Sequence, residues 1–246
     1  MKRFVFTLLI VLLSASSAPA AKYDLGFASG TTNDIFAKVS REAGIMTAYR
    51  GVAPAEPQGI TGFDIGVAVN FAEIDSDLWE QAVGASSTDY PGYLPIPKIQ
   101  VRKGLPYNFD IGASYAKVPS SNLTMVGGEL QWAILEGSTA TPAVAVRGSY
   151  SSLGGVDDIE LSTYAADLVV SKGFAMLTPY AGAGVVRINA EYTGDDALLK
   201  TTLNDYSATE LRYFGGVQMS MALVRLTIDA EFGELPVYTA KLSLGW

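Results

Sequence analysis

The segment Phe63-Asp64-Ile65-Gly66-Val67-Ala68-Val69-Asn70-Phe71 alternates without a break. One parity carries Phe63, Ile65, Val67, Val69 and Phe71, and the other carries Asp64, Gly66, Ala68 and Asn70. A period of two means a strand with one apolar and one small or polar face. Eight residue steps rise about 26 Å along a strand. At a tilt near 40° that becomes roughly 20 Å, close to the height of an outer-membrane apolar band. On this reading Val67→Arg puts a charge against lipid, whereas Ala68→Arg is milder if the lumen is hydrated.

The same alternation recurs at about 93–103, 108–117, 122–135, 142–150, 159–171, 174–189, 208–221, 223–233 and 236–246. This predicts an all-β closed antiparallel transmembrane barrel of ten strands, or twelve if 22–29 or another weak segment pairs. Connection lengths agree: the long ones, 74–92, 151–158 and 190–207, follow odd strands, and the tight ones, 104–107, 136–141 and 171–173, follow even strands. Long loops then share one end and short turns the other, with both termini on the turn side, the periplasm. Two aromatic girdles follow, Phe63, Phe109, Trp132, Tyr180 and Trp246 near the turns and Phe71, Tyr115, Tyr150, Tyr213, Phe232 and Tyr238 near the loops. A water-soluble β-sandwich is the competing reading.

The ends of the chain carry their own signals. Lys2 and Arg3 precede the apolar run Phe4 to Leu13, and Ala18-Pro19-Ala20 closes the segment. This is the pattern of an export signal cleaved after Ala20; its apolar run is half of what a spanning helix needs. The expected organisation is a signal peptide at 1–20, an N-terminal segment with a short helix at 21–59, and the barrel at 60–246. At the other end, Tyr238-Thr239-Ala240-Lys241-Leu242-Ser243-Leu244-Gly245-Trp246 alternates to the last residue. With the export signal and the strands, this resembles the bacterial outer-membrane β-barrel family, whose last strand ends in Phe or Trp. The resemblance implies residence in the outer membrane, contact with outer-membrane lipid and lipopolysaccharide, and an assembly signal on Tyr238, Leu242, Leu244 and Trp246 that the barrel-assembly machinery reads.

Residues 31–50 change period. Thr31-Thr32-Asn33-Asp34 forms a capping cluster, and Ile35, Val39, Ala43 and Met46 recur near helical spacing. A short amphipathic helix is expected at 33–48, ended by Gly51 and Pro54-Ala55-Glu56-Pro57. It is either a plug in the barrel mouth or lumen or a cover for the periplasmic rim. A plug followed by a Pro-Ala turn is similar to the long-chain fatty-acid transporter family over about 33–60, whose usual Asn-Pro-Ala stands here as Ala53-Pro54-Ala55. That likeness implies a transport channel for small or hydrophobic solutes.

Composition limits the chemistry. Among 246 residues there is no Cys and no His, so imidazole-dependent hydrolysis and thiolate or imidazole metal sites lack their central residue. The 17 basic residues against 25 acidic ones disfavour nucleic acid. The expected polar face sets Lys98, Arg102, Arg147, Arg187, Arg212, Arg225 and Lys241 against Asp64, Asp110, Glu129, Asp167, Asp229 and Glu231. Seven cations nearly cancel six anions, which suits a polar network inside the lumen, either structural or a polar pathway. Asp229 and Glu231, at i and i+2, are a carboxylate pair suited to acid/base work or to ion pairing with Arg225. Asp75-Ser76-Asp77 and Asp195-Asp196 are solvated loop tips or Ca²⁺ binders. The reading is a monomeric, non-enzymatic barrel without cofactor or metal, structural or surface-binding in role, with specificity in loops 74–92 and 190–207. Its competitors are the transport channel and a soluble periplasmic binding module.

Overall fold

The computed structural model describes residues 25–83, 92–118 and 121–246. The export segment 1–20 and part of the first long connection, 84–91, lie outside the described residues. The barrel is closed by ten antiparallel strands, each paired with its sequence neighbour, and β1 pairs with β10. They are β1 (Phe63–Glu73), β2 (Tyr93–Gly104), β3 (Phe109–Lys117), β4 (Thr124–Leu135), β5 (Ala143–Gly154), β6 (Ile159–Ser171), β7 (Leu177–Tyr192), β8 (Tyr206–Met221), β9 (Val224–Phe232) and β10 (Val237–Gly245). No strand is present at 25–28, so among the described residues the count stays at ten. β5 continues to Gly154, which shortens the expected 151–158 connection to 155–158. The two other long connections contain helices read from sequence as loop, α2 (Ser76–Val83) and α3 (Ala197–Thr202).

Apolar outward positions such as Ile65, Ile99, Leu130, Leu168, Leu211, Ile228 and Leu244 stay exposed, as a lipid-facing wall requires. Paired aromatics mark its edges. Phe63 meets Trp246 at 5.4 Å and Phe109 stacks on Trp132 at 6.0 Å at the turn end. Tyr150 meets Tyr164 at 5.0 Å, and Phe232 meets Tyr238 at 6.3 Å, toward the loops. Tyr180 does not belong to the girdle: it is buried inside, where its hydroxyl donates to Asp229 Oδ2 at 2.7 Å.

That correction applies to all of β7. Tyr180 in the girdle and Arg187 in the lumen imply that Ala181 and Ala183 lie inside, but they face outward, while Gly182, Gly184, Val186 and Ile188 face the lumen. Arg187, expected in the lumen network, is exposed on the outer surface and donates to Thr209 Oγ1 at 3.2 Å. The strand keeps one register, yet its pattern inverts between Val185 and Val186. Nearer the turns, the outward face is Ala181, Ala183 and Val185, and the inward face is small. Nearer the loops, the outward face is Arg187, Asn189 and Glu191, and the inward face is Val186, Ile188 and Ala190. β6 matches it, pairing Glu160 with Glu191 and Ser162 with Asn189 on the outside. Strands β6 to β8 therefore extend past the aromatic girdle, polar side out, and bury apolar side chains inside as a soluble sheet does.

What they pack against is α1 (Asn33–Thr47). Thr32 caps it, accepting from the Ile35 amide, and Lys38 pairs with Asp34 at 2.7 Å one turn on. Phe36 and Val39 are 1% and 0% exposed and join Ile96, Val118, Leu161, Ile188 and Val237 in one core in the loop-side half of the barrel. Trp79 of α2 and Leu199 of α3 belong to the same core. Gly44 is required by close approach: a Cβ there would overlap Ile188. Of the two expectations for this helix, the lumen plug is the one observed.

From Ala48 to Pro57 the chain continues without helix or strand through the other half of the lumen and turns into β1 at the turn end, where Phe63 and Trp246 exchange backbone hydrogen bonds. The N-terminal segment is thus an eleventh crossing. Trp246 lies at the turn end as expected, but the N-terminal segment, expected on that side too, has its first described residue, Leu25, in the loop-side core. Counting strands alone omitted the threaded segment.

The filled lumen changes the expectation for the first strand. Val67→Arg places a charge against lipid and is expected to cost about 2–4 kcal/mol. Ala68 is buried between its cross-strand partners Lys98 and Lys241. A third cation there would be forced between two others in a filled lumen, so Ala68→Arg is expected to destabilise at least as much, and Ala68→Ser little. Urea midpoints of the refolded variants in lipid vesicles check the order.

Candidate functional site: the lumen network

The turn-side half of the lumen is walled by small inward residues, among them Gly66, Ala68, Gly112, Ser114, Ala143 and Ala145. Residues 48–57 fill the room that these leave. A segment that is neither helix nor strand must find partners for its backbone elsewhere. Wall side chains supply them. Arg212 Nη1 donates to the Tyr49 carbonyl at 3.0 Å, Gln100 Nε2 to the Arg50 carbonyl at 3.0 Å, Arg147 Nη2 to Ala53 at 3.1 Å and Gln131 Nε2 to Ala55 at 3.1 Å. The Ala55 amide donates to Ser171 Oγ at 3.0 Å, and the Gln58 amide to Asp110 Oδ1 at 3.0 Å. Gly51 passes so near Glu129 and Arg147 that a Cβ would overlap both.

Arg50 joins this half to the helix. Its Nη2 donates to the Ile45 carbonyl at 2.8 Å and its Nη1 to Ala48 at 3.1 Å, binding carbonyls that the buried C-terminus of α1 leaves free. The same Nη2 pairs with Glu231 Oε1 at 2.8 Å. Glu231 Oε2 lies 3.4 Å from Arg212, which grips Asp167 through two bonds of 2.8 and 2.7 Å. A second cluster sets Arg102 on Asp110 at 3.0 Å and near Glu129 at 3.7 Å, with Arg147 3.3 Å from Glu129. The third centres on Asp64, which takes Lys241 at 2.6 Å, Ser243 at 2.7 Å and Arg225 at 3.3 Å.

Asp64, Asp110, Glu129, Arg147, Asp167, Arg212, Arg225, Asp229, Glu231 and Lys241 all point inward, as do Lys98 and Arg102. Arg187 does not, and Arg50, from the threaded segment, joins them. The sequence reading missed Arg50, Tyr49, Gln100, Gln131 and Tyr180. Arg50 had a signal: a basic residue just past a helix and just before Gly51 is where free carbonyls need a donor.

The arrangement leaves little open space. Among Arg50, Arg147, Asp167, Tyr180, Arg212 and Glu231 the free volume is about 10 Å³, which is about what a single water needs. Toward the turns a mixed vestibule of about 320 Å³ lies between Pro54, Gln58, Arg225 and Trp246. Asp229 is held by Tyr180, and Glu231 by Arg50 and Arg212, so the expected carboxylate pair is engaged in bonds. The acidic loop tips act on helices. Asp75 Oδ1 accepts from the Leu78 amide at 3.2 Å, and Asp196 caps α3 through the Leu198 and Leu199 amides. Those amides, with the Ser29 hydroxyl, hold the Asp196 carboxyl below the usual carboxylate range. Among the described residues no group of three or more acidic side chains is placed to hold a metal ion. On β10, Tyr238, Leu244 and Trp246 are exposed on the outer face, and Leu242 points the same way, partly covered.

Removing Arg50 leaves Glu231 buried with one distant partner and strips the helix end of its donor. Arg50→Met is expected to destabilise the barrel by about 3–5 kcal/mol, the usual result of breaking a buried ion pair. Arg50→Met combined with Glu231→Gln is expected to recover part of that loss in the same urea titration; additive losses would mean that the two groups are not coupled.

Comparison with known proteins adds the following. No curated protein matches this chain. Among solved structures, the KdgM porin in complex with disordered oligogalacturonate is similar at 7% identity and a TM-score of 0.40, over 74% of this chain and 99% of that one. LpxR from Salmonella typhimurium is similar at 11% identity and a TM-score of 0.38, over 74% and 99%. Ail, the attachment invasion locus protein of Yersinia pestis, in complex with the heparin analogue sucrose octasulfate, is similar at 15% identity and a TM-score of 0.30, over 75% and 95%. A family model matches residues 68–246, from within β1 to the final tryptophan, and the chain belongs to that family, described as a family of unknown function (DUF6588).

Proposed function

We propose that this protein is a closed barrel of the bacterial outer membrane with a structural or surface-binding role, neither a solute channel nor a catalyst. One observation carries the reading: residues 33–57 occupy the lumen from the loop-side core to the turn-side vestibule, and wall side chains bind their backbone along the way. A conducting pore needs a continuous aqueous path with weak, exchangeable binding. A nearly neutral network closed on itself supports a structural lumen instead.

With the lumen filled, contact with other molecules falls to the two outer surfaces. The apolar wall takes outer-membrane lipid, and the polar band above the girdle, with Arg187 and Thr209, lies at the level of lipopolysaccharide head groups. The long connections with α2 and α3 form the other surface, turned to the cell exterior because long loops lie outside and short turns in the periplasm. In the same reading the export segment 1–20 is cleaved and residues 21–59 remain with the barrel 60–246. Tyr238, Leu242, Leu244 and Trp246 address the assembly machinery, and the protein works as a monomer without nucleic acid or cofactor.

Single-channel recording in planar bilayers tests the closed lumen. The refolded full chain is expected to be silent, and deletion of residues 31–50 to produce steps. Persistent steps from the full chain would favour transport and end the structural reading, whether or not the deletion variant assembles.

A further inference from the structure

The threaded segment has a direction. Its C-terminal part is fastened at the turn end, where Lys103 Nζ binds the Ile60 and Gly62 carbonyls and Trp246 Nε1 donates to the Thr61 carbonyl at 3.2 Å. Its N-terminal part is fastened at the loop end. The Phe27 amide donates to Asp158 Oδ2 at 3.3 Å, and the Ala28 amide to the Ala82 carbonyl at 2.9 Å. Asn33 and the α3 region are bound reciprocally, through Thr202 at 2.7 Å and Asn204 at 2.8 Å. Ten strands return a chain to the side where it started, and one further crossing does not.

We propose that the barrel presents its own N-terminal segment at the cell surface, so that residues 25–32 lie beside α2 and α3 on one outer face, with Ser29 and Gly30 open to the exterior. This rests on the outward orientation of the long connections adopted above. Ser29 and Gly30 are exposed there, and a Cβ at Gly30 meets nothing within 4 Å. The stretch 25–32 is neither helix nor strand. The fold also fixes when the crossing happens. α1 with its side chains is about 10–12 Å wide, and Gly44, Gly51 and Arg50 lock it and the following chain to the wall. The N-terminal end must therefore pass to the outer side before the seam between β1 and β10 closes, and it stays there.

The chain has no cysteine, so single thiols report sidedness without background. Gly30→Cys on the N-terminal segment, Gly92→Cys before β2 and Thr139→Cys in the β4–β5 turn are each treated on intact cells with a membrane-impermeant maleimide, then again after the outer membrane is permeabilised. Assembly is confirmed by migration that depends on boiling, with Ser29→Cys replacing Gly30→Cys if the latter does not assemble. Gly30→Cys and Gly92→Cys are expected to label equally before and after permeabilisation, and Thr139→Cys only after. Gly92→Cys labelled on intact cells with Gly30→Cys labelled only after permeabilisation, or not at all, would overturn the proposal and leave the orientation standing. Thr139→Cys labelled on intact cells with Gly92→Cys protected would overturn the orientation and this proposal together.

Discussion

A helix that ends inside a membrane barrel presents free carbonyl groups where little water reaches, and the bond between Arg50 and those carbonyls is what the rest of this structure depends on. Arg50 satisfies Ile45, Met46 and Ala48. Its charge is then answered by Glu231, and Glu231 is shared with Arg212, which holds Asp167 and the Tyr49 carbonyl. One guanidinium thereby couples an apolar half, filled by α1, to a polar half, threaded by irregular chain. Neither half would be filled without the other. The small wall residues that let the segment through would leave a water-filled tube, and the apolar face of α1 would have no surface to meet.

The same division explains the pattern inversion on β6 to β8. Against lipid a strand turns its apolar residues outward; above the lipid, against α1, it turns them inward. Arg187 on the outside and Ile188 on the inside of β7 follow from that change of surroundings, with no change of register. Glu160 paired with Glu191 tolerates like charges only because that part of the wall is outside the apolar band, in high dielectric.

Much of this was legible in the sequence and some was not, for identifiable reasons. The strands were readable because each carries a period-two pattern, and Val67 outside with Ala68 inside is the clearest instance. Twelve of the thirteen charged residues named for the lumen network point into it, since in the lipid zone a charged residue on a strand has only one tolerable side. Arg187 failed because that rule lapses where the strand leaves the membrane, and Tyr180 because an aromatic near a turn fits either the girdle or a buried bond to Asp229. The position of α1 was not legible, since an amphipathic pattern gives a face and not its partner. Nor were the backbone partners of residues 49–55, because carbonyl groups leave no mark on sequence.

The central claim, that α1 sits inside the barrel against β7, is tested most directly by a cross-link at its closest approach. Gly44 and Ile188 approach each other closely inside the lumen, and a disulfide needs Cβ atoms about 3.5–4.5 Å apart. The double variant Gly44→Cys with Ile188→Cys, assembled in vesicles and mildly oxidised, is predicted to form that bond within one chain, with neither thiol left reactive. An assembled barrel in which both thiols remain free, or pair only between chains, would place the helix elsewhere and contradict the account.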